Sequence, residues 1–332
     1  MCTAMTLETA QGEVYLGRTM DFSVTLDPSL YFVPKGYRWG NLAATHTVRN
    51  QYSFIAVGQD ASPVVFVDGV NEKGFGAAVL YFPGYAYYDP LDSGQDTRPP
   101  IASIELMHFL LSQCTDVDDA AEILRTIRIV GMEDPVTESV APLHWIMADK
   151  SGRCAVIEKT KEGLFVMDNP IGILTNSPDF SWQITNLRNY SNLSPWQMQD
   201  KKWCGVQLPP FGQGAGCFGL PGDYSPPSRF VRTAFQKSHA DSCSTPEEAV
   251  ITGFHLMENV SIPKGVVMTD RNTADFTQYT AFIRLSTQEY FFTTYNNRQI
   301  TRAAMPGIRE EEPAIRSLGK LIRPITFDEF PG

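Results

Sequence analysis

A cysteine stands at position two of this chain, and the residues behind it read as a hairpin that turns back towards it. Once the initiator methionine is removed, such a cysteine becomes the N-terminal residue. It then carries a thiol and a free α-amine on one Cα. The amine has a pKa of about 8 and the thiol about 8.5, so a proton passes between them at nearly balanced cost near neutral pH. One residue can thus supply both a nucleophile and its base. A cysteine side chain is small enough to be compatible with methionine removal. Thr3 to Thr9, a turn at Ala10-Gln11-Gly12, and Glu13 to Phe22 predict a strand pair that returns Arg18 and Asp21 towards residue two.

Composition then sets the limits. The chain has 332 residues, 43% hydrophobic and 19% charged, which is ordinary globular usage and enough for a sizeable core. No composition break or long linker interrupts it, so a single domain over 1–332 is expected, the mature chain starting at Cys2. A net charge of −10 argues against nucleic acid or an anionic membrane as partner. No apolar run reaches transmembrane length, and the start lacks the pattern of a secretory signal, so a cytoplasmic protein is expected. Cys2, Cys114, Cys154, Cys204, Cys217 and Cys243 form no Cys-x-x-Cys pair, and the histidines show no metal-ligand spacing. No metal, cofactor or disulfide framework is predicted. His144, in an apolar strand-like run, and His255, in a helical pattern, are expected to be structural.

The first third reads as β-rich, with strands at Tyr52–Gly58, Val64–Asp68 and Phe75–Tyr81, the last apolar on both faces. Leu26 to Asn41 reads as an irregular Pro/Gly stretch, and Tyr85 to Pro100 as a loop. Helical patterns follow at Ile101–Cys114 and Asp116–Ile129. Strands return at Leu143–Ala148, Cys154–Lys159, Gly163–Met167 and Ile171–Leu174, then a helix at Ser181–Tyr190. Ser191 to Pro227 is long, irregular and rich in Pro and Gly, the kind of segment that serves a function or covers a neighbouring subunit. Helices are predicted after Ser225 and Thr245, strands at Thr280–Leu285 and Tyr290–Tyr295, and a polar tail beyond. Blocks of strands and helices in this order predict an α+β layered fold.

Met1-Cys2-Thr3, Gly17-Arg18-Thr19-Met20-Asp21, Asn71-Glu72-Lys73-Gly74, Phe82-Pro83-Gly84-Tyr85, Leu174-Thr175-Asn176-Ser177-Pro178 and Ser228-Arg229-Phe230 occur in that order. The set resembles the choloylglycine hydrolase family, which holds penicillin V acylases and conjugated bile salt hydrolases. The resemblance implies a four-layer αββα N-terminal nucleophile hydrolase fold, two stacked antiparallel sheets between helix layers. It also implies cleavage of a linear amide through a thioester.

Residue by residue, the resemblance implies Cys2 as nucleophile and Asp21 as the group that holds its amine and thiol. Arg18 becomes the cation beside the sulfur, where positive charge favours thiolate. Asn176 becomes an oxyanion donor through its amide N–H, and Arg229 a distal stabiliser of charge. Tyr81, just before Phe82-Pro83-Gly84, stands where bile salt hydrolases of the family usually carry asparagine and penicillin V acylases often carry tyrosine. Its backbone N–H serves an oxyanion in either case, while its ring suits a flat phenoxy or phenyl group. Met20 is a candidate for the acyl pocket. The expectation is therefore a penicillin V acylase acting on a small-molecule amide. Alternatives are a conjugated bile salt hydrolase or an N-acyl homoserine lactone acylase, and, from another class, a non-catalytic binding protein of the same fold. By family analogy the expected assembly is a homotetramer.

Overall fold

The computed structural model describes residues 1–92, 94, 96–134, 136–307, 314–327 and 329–331. Parts of the expected loop and tail, at 93, 95 and 308–313, lie outside them. The chain opens with the hairpin β1 (Cys2–Glu8) and β2 (Val14–Phe22), then crosses to a second sheet with β3 (Pro28–Val33), β4 (Phe54–Gln59), β5 (Val65–Asn71) and β6 (Phe75–Tyr81). Helices α1 (Leu106–Gln113) and α2 (Val117–Leu124) follow. The meander β7 (Leu143–Asp149), β8 (Cys154–Thr160) and β9 (Gly163–Asp168) extends the second sheet. The short β10 (Ile173–Leu174) returns to the first. Next come α3 (Phe180–Asn186), α4 (Pro226–His239) and α5 (Pro246–Glu258), then β11 (Ala274–Arg284), β12 (Glu289–Thr294), β13 (Asn297–Ala304) and β14 (Arg316–Lys320). The first sheet runs β10-β1-β2-β11-β12-β13 and the second β9-β8-β7-β6-β5-β4-β3-β14, with every named pairing antiparallel.

The period-two alternation of each central strand assigns its two faces. On β7, Leu143, Trp145 and Met147 pack with α1 and α2, whereas Ile146 and Ala148 face the other sheet. The same split holds for Phe54 and Ala56 against Ile55 and Val57, and for Ala77 and Val79 against Ala78 and Leu80. Slipping any of these strands by one residue would exchange the two cores. With α4 and α5 covering the outer face of the first sheet, the order is helix, sheet, sheet, helix, the expected α+β four-layer plan. Gly17 on β2 and Gly253 on α5 allow that outer layer to close. A Cβ at either would sit within 2.5 Å of the buried Phe282 ring.

Helix ends follow local chemistry. Thr245 and Glu248 form a reciprocal capping box on α5, and Asp116 accepts from Asp119 N–H on α2. The expected first helix is shorter than read. Pro100–Ala102 is instead a strand, parallel to Arg128–Val130, which also ends the second helical pattern early. The Leu26–Asn41 stretch contains β3, hidden in the sequence by flanking Pro28 and Pro34. The tail contains β13 and β14, which are largely exposed and carry polar residues that blur an alternating pattern. Ser191 to Pro227 holds a small hairpin, Lys201–Trp203 with Val206–Leu208, among exposed Trp196, Trp203, Phe211 and Phe218.

Candidate active site

Cys2 is the first residue of β1 and lies opposite Met20 on β2, while Ala4 lies opposite Arg18. Alternation therefore puts Cys2, Met20 and Arg18 on one face, the face turned to the second sheet. Cys2 is buried, and its Sγ accepts a hydrogen bond from Arg18 Nη2 at 2.9 Å. Arg18 is fully buried and spends its other N–H groups on Thr19 O (3.1 Å), Val67 O (3.3 Å) and the Asp68 carboxylate (3.3 Å). Asp68, on β5, also accepts from Tyr279 Oη (2.6 Å) and Tyr290 Oη (2.9 Å). Burial raises the Asp68 pKa, and Arg18 and the two tyrosines pull it back. Burial lowers that of Arg18, but Cys2, Tyr279, Asp68 and Asp21 outweigh it, so the net shift is upward and Arg18 stays charged.

Asp21 points to the opposite face of β2. Its carboxylate accepts from Thr277 Oγ1 (2.5 Å) and Thr19 Oγ1 (3.0 Å) and lies 4.0 Å from Arg229 Nη1. Burial pushes its pKa up and Arg229 opposes this. Its main-chain carbonyl, not its carboxylate, faces residue two. That oxygen accepts from the Met1 ammonium at 2.6 Å and lies 4.0 Å from Cys2 Sγ. The Met1 ammonium also pairs with Asp275 at 3.0 Å. A register shift in β11 between Thr277 and Tyr279, opposite Asp21 and Met20, lets Thr277 serve Asp21 while Tyr279 reaches Asp68 on the other face.

Asn176 and Arg229 grip the main chain of Cys2 from both ends. Asn176 Oδ1 accepts from Cys2 N–H at 2.8 Å and from Arg229 Nη2 at 2.6 Å. Arg229 Nη1 donates to Cys2 O (2.5 Å) and Thr3 Oγ1 (2.6 Å). Burial lowers the Arg229 pKa, with Asp21 and Cys2 opposing. Asn176 Nδ2 donates to Tyr81 O at 2.6 Å, so one of its two N–H groups is already committed. His144 fixes the segment before Asn176: its ring nitrogens lie 2.9 Å from Thr175 O and 3.2 Å from Glu158, and its ring stacks on Phe82.

Cys2 opens onto an apolar cleft between the sheets, walled by Met20, Phe22, Leu26, Val65, Val67 and Tyr81 among others. The Tyr81 ring meets Phe22 edge-on at 6.4 Å. Arg18, Met20, Tyr81 and Asn176 thus gather at the sulfur, its amide nitrogen or the cleft, whereas Arg229 and the Asp21 carboxylate stand behind the Cys2 backbone. Asp68, Tyr279, Tyr290 and Thr277 complete the arrangement and were not among the sequence candidates. Asp68 alone left a signal, a charged residue closing the apolar run Val64-Val65-Phe66-Val67, which needs a partner if buried. Among the described residues no group of three or more His, Cys, Asp or Glu is placed to hold a metal. No helix among them is long and apolar enough to cross a membrane.

Comparison with known proteins decides the family. Residues 2–307 match the model of the linear amide C–N hydrolases, choloylglycine hydrolase family. The chain belongs to the choloylglycine hydrolase family. It is therefore a hydrolase of non-peptide, linear amide C–N bonds. A bile salt hydrolase/transferase of Clostridium perfringens is 36% identical over 92% of each chain. A penicillin V acylase of Pectobacterium atrosepticum is 24% identical, covering 83% of this chain and 72% of that protein. Among solved family structures, a mutant conjugated bile acid hydrolase from Clostridium perfringens superposes with a TM-score of 0.91 at 32% identity over 100% of both chains. The penicillin V acylase of Agrobacterium tumefaciens shares the fold, with a TM-score of 0.77 at 22% identity over 96% of this chain and 91% of that one.

Proposed function

We propose that this enzyme hydrolyses the amide of glycine- or taurine-conjugated bile salts. The bile salt hydrolases are more similar to it than the penicillin V acylases, which reverses the order expected from Tyr81. The observation that carries the chemistry is Arg18 Nη2 at 2.9 Å from Cys2 Sγ, at the wall of an apolar cleft. Loss of Met1 turns the Cys2 nitrogen into an α-amine beside Asn176 Oδ1. That amine takes the thiol proton, and Arg18 stabilises the sulfur anion. The sulfur attacks the substrate carbonyl, forming the C–S bond while negative charge moves to oxygen.

The Tyr81 N–H and the second Asn176 N–H receive that charge, each worth about 10²–10³ in rate. The α-ammonium then protonates the departing amine as the C–N bond breaks, leaving a thioester. Water, deprotonated by the α-amine, releases the acid and restores the thiol. Asp21 and Arg229 hold the Cys2 main chain in line. Met20 and the cleft take the acyl group.

A second reading, penicillin V acylase, is favoured by the Tyr81 and Phe22 rings, which suit a phenoxy group. Rates on glycocholate, taurocholate, penicillin V and a long-chain acyl homoserine lactone separate the readings. The bile conjugates are expected to be cleaved fastest. A preference for penicillin V or the lactone overturns the proposal, and no turnover of any by a chain lacking Met1 favours a binding protein. The proposal extends to a homotetramer joined through the exposed aromatic residues of 191–227; light scattering giving a monomer mass would contradict that assembly.

A further inference from the structure

Glycine and taurine conjugates and penicillin V carry an anion on the amine side, a carboxylate or sulfonate a few bonds from the scissile nitrogen, whereas an acyl homoserine lactone does not. The apolar cleft accounts for the acyl group alone. Arg18 and Arg229 are fully buried and occupied, so neither is available to that anion. We infer that Arg271 binds the anionic group of the leaving amine and so selects amides with charged amine portions. This rests on the proposed reaction.

The geometry is that of a hairpin tip beside the N-terminus. Val267–Met268 pairs with the start of β11, Val267 opposite Asp275 and Met268 opposite Ala274. The tip is closed by Thr269 N–H to Thr273 O at 2.8 Å, by the paired hydroxyls of the same threonines at 2.7 Å, and by Asn272 in a left-handed conformation. Arg271 sits exposed at this tip. Below it, Asp275 holds the Met1 ammonium next to Cys2, and Phe276 lies opposite Phe22, whose ring meets Tyr81 in the cleft.

Arg271 is close enough to be the leading charge felt by the Tyr81 hydroxyl, ahead of Asp134. Among the described residues it has no hydrogen-bond or ion-pair partner in the structure. The neighbouring cation Lys264 rests 5.0 Å over the Phe276 ring. Asp134 is buried and engaged with Val136, Thr137 and Ser139 of its own turn. Its sequence neighbour Asp270 is exposed as well.

The test compares charged and uncharged versions of the same amide: glycocholate against cholylglycinamide, and penicillin V against its methyl ester. Wild type and the Arg271→Met, Arg271→Lys and Lys264→Met variants are assayed at low and high salt. For the acyl group that is cleaved, Arg271→Met is expected to lower kcat/KM for the anion relative to its neutral counterpart about three- to tenfold, mostly through KM. Arg271→Lys should recover part of the preference, and salt should erode it in wild type. An unchanged ratio in Arg271→Met, or an equal loss in Lys264→Met, overturns the inference. Cleavage of penicillin V rather than glycocholate overturns the bile-salt reading, while the ester comparison still decides Arg271.

Discussion

At the scale of single residues, the site is a chain of charges built outward from one sulfur. Arg18 links Cys2 to Asp68, and Asp68 ties Arg18 to Tyr279 and Tyr290. Arg18 and Asp68 are both fully buried, so neither charge is solvated without the other. Arg18→Met is predicted to cost about 3–5 kcal/mol, because it leaves Asp68 as an uncompensated buried charge. Adding Asp68→Asn should recover part of that loss, so urea denaturation of the double variant should show less destabilisation than the sum of the singles. Additive costs would contradict the pairing. Cys2, Arg18, Asp21, Asn176 and Arg229 were legible as candidates because each sits in a short recognisable string, such as Gly17-Arg18-Thr19-Met20-Asp21 or Leu174-Thr175-Asn176-Ser177-Pro178. Tyr279 and Tyr290 stayed hidden, because their role exists only once β11 and β12 face β5 across the sandwich.

At the scale of elements, two packing contacts decide how the layers hold. His108 of α1 is buried among Trp39, Tyr37, Phe54 and Phe66, and burial pushes its pKa down to about 3 from an ordinary 6.5. The unfolded chain therefore binds a proton between those values that the folded chain does not. Stability contributed by neutral His108 is present above pH 6.5 and is lost as pH falls, by about 3 kcal/mol at pH near 4. In urea titrations, His108→Phe should flatten that acid loss while keeping the ring contacts; an unchanged pH slope would contradict it.

Gly253 of α5 gives the second contact. Alanine there gains about 1 kcal/mol of helix propensity but places a Cβ 2.4 Å from the Phe282 ring, which is stacked on Tyr15 and has no free end to swing away. Overpacking costs about 1–3 kcal/mol, so Gly253→Ala is predicted to lower the melting temperature. A higher one would mean that α5 shifts freely. Elements with a two-sided apolar run, such as Phe75–Tyr81, were legible to the residue. Strands β3, β13 and β14 were not, since edge or proline-flanked strands owe their pairing to neighbours distant in sequence.

At the scale of the whole molecule, the layered fold brings the chain terminus inside the protein. Residue two enters β1 between β2 and β10, and both of its main-chain polar groups are taken by Asn176 and Arg229, residues 174 and 227 positions away. That is why removal of one residue at the start is central to the account. The most direct test is intact-mass spectrometry of the enzyme, acid-quenched during turnover of glycocholate. Expected is a chain shortened by Met1 and, in part of the population, heavier by cholic acid less one water, with the acyl group on Cys2. A chain that retains Met1 yet turns over at full rate, or an acyl group on any other residue, would contradict it.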